Sequence, residues 1–151
     1  MNRNGVEYLL IGGVNFLIRH EPVMTFDIDL WIKDTDENRR SCERALVALD
    51  AAWGPTEQEW RQVAEKASGW LDNQPLFCLT SKHGAIDIFK AVLGLEGWDV
   101  CRRRAIGGCT AAGVSFFGLA DQDMLASQEA LDVDVRKQDR IRTLRRALGE
   151  K

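Results

Sequence analysis

Two short stretches constrain this chain most. In "TFDIDLWI", residues 25–32, Phe26, Ile28 and Leu30 alternate with Asp27 and Asp29. In "AIDIFKAV", residues 85–92, Ile86 and Ile88 flank Asp87 in the same way. Alternation with period two predicts β-strands with one apolar face. Side chains two apart in a strand share a face, so Asp27 and Asp29 project together, opposite the apolar set. Two such carboxylates repel each other, and partial burial makes the repulsion worse. A divalent cation between them relieves it. Magnesium takes hard oxygen ligands and commonly uses a few carboxylates together with substrate phosphates. If the Asp87 strand neighbours the first, it adds a third acid to the cluster. The alternative for each aspartate is a solvated or capping side chain, since short motifs match by chance.

The rest of the chain reads as a mixed α/β (α+β) fold, a small mixed sheet flanked by helices. Residues 6–11, "VEYLLI", predict a first strand that ends at Gly12-Gly13. "VNFLIRH" predicts a short helix. Asp34, Thr35 and Asp36 offer caps for a helix through residues 37–52. "TEQEWRQVAEKA", residues 56–67, predicts another, with Thr56 and Glu59 as a capping box. "LFCLT", the turn Lys82-His83-Gly84 and "AIDIFKAV" predict a hairpin. "EGWDVCRRR" favours a helix, and "AIGGCTAAGVSFFG" a second hairpin. Residues 119–147 predict two closing helices, the last with Ile141, Leu144 and Leu148 facing a core. At 151 residues the expectation is a single domain, 1–151, with a core over about 5–93 and the hairpin and closing helices over about 94–151.

Composition narrows the class further. A formal charge of -3 gives no global basic field, so a nucleic-acid partner needs a local patch. Arg102–Arg104 and the run Arg136, Lys137, Arg140, Arg142, Arg145, Arg146 read as solvated helix faces; the alternative is a patch for RNA or a triphosphate. His20 and His83 read as surface or turn residues. The four cysteines lack C-x-x-C spacing, which argues against zinc and for reduced thiols in a cytoplasmic protein. "YLLIGGVNFLI" is too short for a membrane span and lacks the flanks of a signal peptide.

The order strand, Gly12-Gly13, helix, strand with Asp27-Ile28-Asp29, later strand with Asp87 resembles the nucleotidyltransferase superfamily, with its polymerase-beta-like fold. The stretch "LLIGGVNFLIRHEPVMTFDIDLWI" looks like the small bacterial branch of AbiEii-type toxins and minimal nucleotidyltransferases, where a threonine two before the first acid is common; Thr25 matches. The resemblance departs where relatives carry cations and this chain has Val23, Gln128 and Gln138. What it implies is a metal-dependent transfer of a nucleotidyl group from a nucleoside triphosphate to an acceptor. Asp27, Asp29 and Asp87 would be the catalytic and metal residues, holding two Mg2+ ions, with Asp87 also activating the acceptor hydroxyl. Gly12, Gly13 and Thr25 would bind the nucleotide. The acceptor class, RNA or protein, stays open, as does a homodimer or a partner protein. Two other readings stay open as well. One is a nucleotidyltransferase-like interaction module from a toxin–antitoxin pair. The other is a catalytically degenerate fold.

Overall fold

The computed structural model describes residues 1–150. Along the chain run β1 (Tyr8–Ile11), α1 (Gly12–Arg19), β2 (Asp27–Ile32), α2 (Asp36–Ala48), β3 (Ala52–Trp53), β4 (Arg61–Gln62), β5 (Leu76–Ser81), β6 (Gly84–Phe89), α3 (Trp98–Arg104), β7 (Ile106–Cys109), β8 (Ser115–Gly118), α4 (Asp121–Glu129) and α5 (Gln138–Ala147). The class is α/β, as the patterning implies. The chain divides into two compact units. The first takes Met1–Tyr8 and Phe26–Ala91; the second takes Leu9–Thr25 and the chain from Val92 onward. None of the described helices is long and apolar enough to cross a membrane.

In the first unit the strand order is β4-β3-β5-β6-β2. β2 and β6 are parallel, and the other pairs are antiparallel. The two alternating stretches follow their period in part: Leu30, Ile32, Ile86 and Ile88, with Phe77 and Leu79 of β5, turn one face of the strands into core, but Phe26 lies before β2 and is 84% exposed, and Trp31, on the face of the acids, is buried. Trp53, Trp70 and Phe77 pack ring against ring, with centroids 4.9 to 5.8 Å apart. Thr35 caps α2, its hydroxyl accepting from Asn38 N–H at 3.3 Å. Buried Asn38 ties α2 to the chain on either side. It accepts from Glu7 N–H at 2.8 Å and donates to the Glu7 and Lys33 carbonyls, each at 2.8 Å. Buried Glu43 accepts the backbone N–H of Gly69 at 3.0 Å and of Leu71 at 3.1 Å, and pairs with Arg40 at 2.9 Å.

One expected helix is absent. Residues 56–67 form a 3-10 turn at Glu57–Glu59, the edge strand β4 and another 3-10 turn at Val63–Glu65. Thr56 and Glu59 bond side chain to side chain at 2.9 Å rather than capping a helix. The chain folds back so tightly that a Cβ on Gly54 would meet the Glu59–Trp60 backbone at 2.5 Å. Strand pairing of Ala52 with Gln62 and Trp53 with Arg61 then wins over local helix propensity. The helix over 37–52 also ends earlier than its pattern, at Ala48, because Ala52 and Trp53 belong to β3.

In the second unit β1 pairs with β8 in parallel, Leu10 opposite Gly118, and β7 and β8 form the expected hairpin. Buried Asn15 of α1 donates to Leu119 O at 2.9 Å. Its Oδ1 would lie 2.1 Å from a Cβ on Gly118, so only glycine fits there. In the first basic cluster, Arg102–Arg104, one member is less solvated than its sequence suggests: Arg104 grips the buried Asp123 carboxylate through three bonds of 2.5 to 3.0 Å. His20 is no free surface residue either; it bonds Asp121 at 2.9 Å and packs on Phe16. In α5, Ile141 and Leu144 are buried as expected. Leu148 is not: it is 38% exposed, past the last turn of the helix.

Candidate metal centre

The sequence puts Asp27 and Asp29 on one face of β2, and the register supplies the third acid. β2 and β6 run parallel with Asp29 directly opposite Asp87, and Asp27 opposite Ala85. One ligand oxygen from each of Asp27, Asp29 and Asp87 lies within 4.8 Å of the others. All three side chains are half-buried. The expectation that a neighbouring strand brings Asp87 to the pair is met. It is met because β6 extends the same alternation in step with β2, with Ile28 beside Ile86 and Leu30 beside Ile88 on the other face.

The electrostatics follow from this crowding. Burial pushes the Asp87 carboxyl above its ordinary value, and the nearby Asp27 charge pushes it further; a bond from the Cys78 thiol works the other way. Cys78 sits opposite Asp87 on the antiparallel strand β5. Its thiol is raised by burial, then by the charges of Asp87, Asp27 and Asp29. Sequence reading overlooked Cys78 as a neighbour of the site. The signal was there: a two-residue turn at Lys82-His83 fixes Ser81 opposite Gly84, and counting back puts Cys78 opposite Asp87.

The donor set fits a hard divalent cation. Three carboxylates offer oxygen only, as magnesium prefers, and ligand oxygens across an octahedral magnesium lie about 4.2 Å apart. The observed span is therefore right for side chains that draw in slightly on one ion, or share a carboxylate between two. Asp27, Asp29 and Asp87 can thus hold a metal ion.

Gly12, Gly13 and Thr25 belong to the second unit and form a set of their own. The glycines are not a free-standing turn but the first two residues of α1. Gly12 has φ +65°, a left-handed conformation that disfavours other residues. A Cβ on Gly13 would come 2.7 Å from Thr25 Oγ1 and 3.3 Å from Arg140 Nη2. Glycine is what lets the hydroxyl and the guanidinium close over the first turn of α1. His83 lies in the β5–β6 turn, where its N–H donates to Ser81 Oγ at 3.1 Å. The chain matches no protein-family model and no curated protein.

Proposed function

We propose that the protein is a metal-dependent nucleotidyltransferase that moves a nucleotidyl group from a nucleoside triphosphate to an acceptor hydroxyl. One observation carries the reading: three carboxylates from two neighbouring strands converge within 4.8 Å on the polar face of a sheet whose other face is core. A fold keeps such mutual repulsion where it serves a site.

In this reading Asp27, Asp29 and Asp87 hold magnesium. The bound ion supplies Lewis-acid stabilisation of the charge that builds on the phosphoryl oxygens. Asp87 would take the proton of the acceptor hydroxyl. The acceptor oxygen forms a bond to the α-phosphorus, the bond from that phosphorus to the bridging oxygen breaks, and pyrophosphate leaves. Asp27 and Asp29 would fix the position of the cation. The acceptor stays open, with RNA and protein as candidates.

The test is direct. The purified protein is incubated with magnesium, each α-phosphate-labelled nucleoside triphosphate in turn, and total RNA or cell lysate. The expected result is label in a macromolecule, lost with Asp29→Asn and with chelator. Label no greater than that of Asp29→Asn, with all four triphosphates, overturns the proposal.

A further inference from the structure

We propose that β7 is a docking edge for an extended segment of a partner protein, an apolar strand with one acidic side chain opposite Gly107. The carrying observation is the open side of β7. This strand ends the strand order of the second unit and pairs with β8 alone. Thr110 N–H donates to Val114 O at 2.9 Å, and the register runs on without a bulge through Gly108 and Phe116 to Ile106 and Gly118. Antiparallel pairs alternate, so Ile106 and Gly108 turn their backbone groups to β8, while Gly107 and Cys109 turn theirs away from it. Gly107 and Cys109 are both exposed. Natural proteins protect edge strands with charges, prolines or bulges. β7 has none of these, and residues 105–118 carry no charge in a chain that is 28% charged. Ile106, Val114 and Phe117 of this hairpin are 40 to 49% exposed.

Arg102 decides the chemistry of the partner. Its guanidinium lies over the Phe117 ring, 3.5 Å from the centroid. Stacked there, it has no oxygen acceptor among the described residues, whereas Arg104 of the same helix turn grips Asp123. Phe117 sits opposite Gly107 in the register. Gly107 has no side chain, and a Cβ there would meet the Phe117 ring first, at 3.7 Å. The ring and the guanidinium over it are therefore reachable from the strand edge. A residue that pairs with Gly107 from an added strand projects on this same face, directly beyond the glycine. A carboxylate at that place meets Arg102 in a charge-assisted bond. The two residues beside it on the added strand turn to the other face, that of Ile106 and Gly108, where apolar side chains suit. β7 of a second copy does not supply the acid, since residues 105–118 have no charged side chain. A partner strand supplies both parts, main-chain bonds to Gly107 and Cys109 for affinity and the acid for selectivity.

This proposal does not depend on the metal centre. The probe is a short fluorescent peptide of alternating valine and threonine in which the central threonine is replaced by glutamate, compared with a version that has lysine there. Fluorescence anisotropy of each peptide is followed as the full chain is added, in reductant and chelator. Saturable binding of the glutamate peptide is expected, with the lysine peptide weaker by about tenfold or more. Arg102→Glu should exchange that preference, gaining the lysine peptide and losing the glutamate one, which a merely structural arginine would not do. Cys109→Pro removes one outward N–H and no bond to β8, so it should weaken binding several-fold, whereas Cys109→Ala should bind as the wild type does. Arg142→Glu, the same change of charge on α5, should also leave binding unchanged. If Arg102→Glu does not fold, the two peptides and the Cys109 variants carry the test. Four results would overturn the proposal: no saturable binding of the glutamate peptide, equal binding of the glutamate and lysine peptides, equal binding by Cys109→Pro and Cys109→Ala, or self-association in sedimentation velocity that Cys109→Pro abolishes, which would make a second copy the occupant.

Discussion

Replacing Asp87 by asparagine separates a cation-binding acid from a structural one. The exchange keeps shape and an acceptor oxygen for the Cys78 thiol but removes a charge. Asp27 and Asp87 oxygens lie within 4.8 Å, and Asp29 is equally close. Two unit charges at that range repel by about 1 kcal/mol in water-like surroundings and about 3.5 kcal/mol at an effective dielectric near 20. The side chains are half-buried, so the lower part of that range applies after screening, about 1–2 kcal/mol. In chelator near neutral pH, Asp87→Asn should therefore unfold at higher urea than the wild type. The pH dependence has a definite sign. The Asp87 carboxyl is raised in the folded state by burial and by Asp27. The folded state then binds the proton more tightly than the unfolded one, so its contribution is full below the ordinary carboxyl value, about pH 4, and is lost as pH rises through the raised value. The advantage of Asp87→Asn should thus be absent below about pH 4 and grow above it. With magnesium the order should reverse, since binding to the native state alone stabilises it and the variant lacks a ligand. Urea unfolding over a pH series, with chelator or with magnesium, reads all of this. A variant less stable than wild type by about 1 kcal/mol in chelator at neutral pH would refute the reasoning, because that is how a structural hydrogen-bonding aspartate behaves.

Glu43→Ala should cost about 2–4 kcal/mol in urea unfolding, because it strands the Gly69 and Leu71 N–H groups, while Arg40 keeps its pairing with Asp72. Cys42 is fully buried and its thiol is pushed up to about 12, chiefly by burial. It should resist alkylation in the native protein at pH 8 and react only on unfolding, while exposed Cys109 is modified in the folded state; mass spectrometry of quenched samples checks this.

The strands that build the metal centre were legible because each has one apolar and one polar face. Period two then specifies both the element and its orientation, as Asp27, Asp29 and Asp87 show. The parallel register that sets Asp29 against Asp87 is a long-range choice; the sequence suggested that the strands neighbour each other but carried no count that aligned them. The β5–β6 hairpin does carry such a count through its two-residue turn. Residues 56–67 misled for the opposite reason. Their spacing of Trp60, Val63, Ala64 and Ala67 satisfies a helix, but the neighbouring strand β3 offers Arg61 and Gln62 backbone partners that local pattern cannot reveal. Arg140 was hidden in a run of charges. Most of that run is paired with nearby acids or left in solvent, and only tertiary packing distinguishes the one guanidinium that lies over Phe16.

The central claim is that the acids of β2 and β6 form one divalent-cation site. The most direct measurement is Mn2+ titration followed by the electron paramagnetic resonance signal of the free ion, for wild type and for the Asp27→Asn, Asp29→Asn and Asp87→Asn variants. The account expects saturable binding by the wild type, displaced by magnesium, and a loss of affinity of about tenfold or more in each variant, as for removal of one ligand from a shared site. Wild type and variants leaving the same free Mn2+ at every concentration would contradict it.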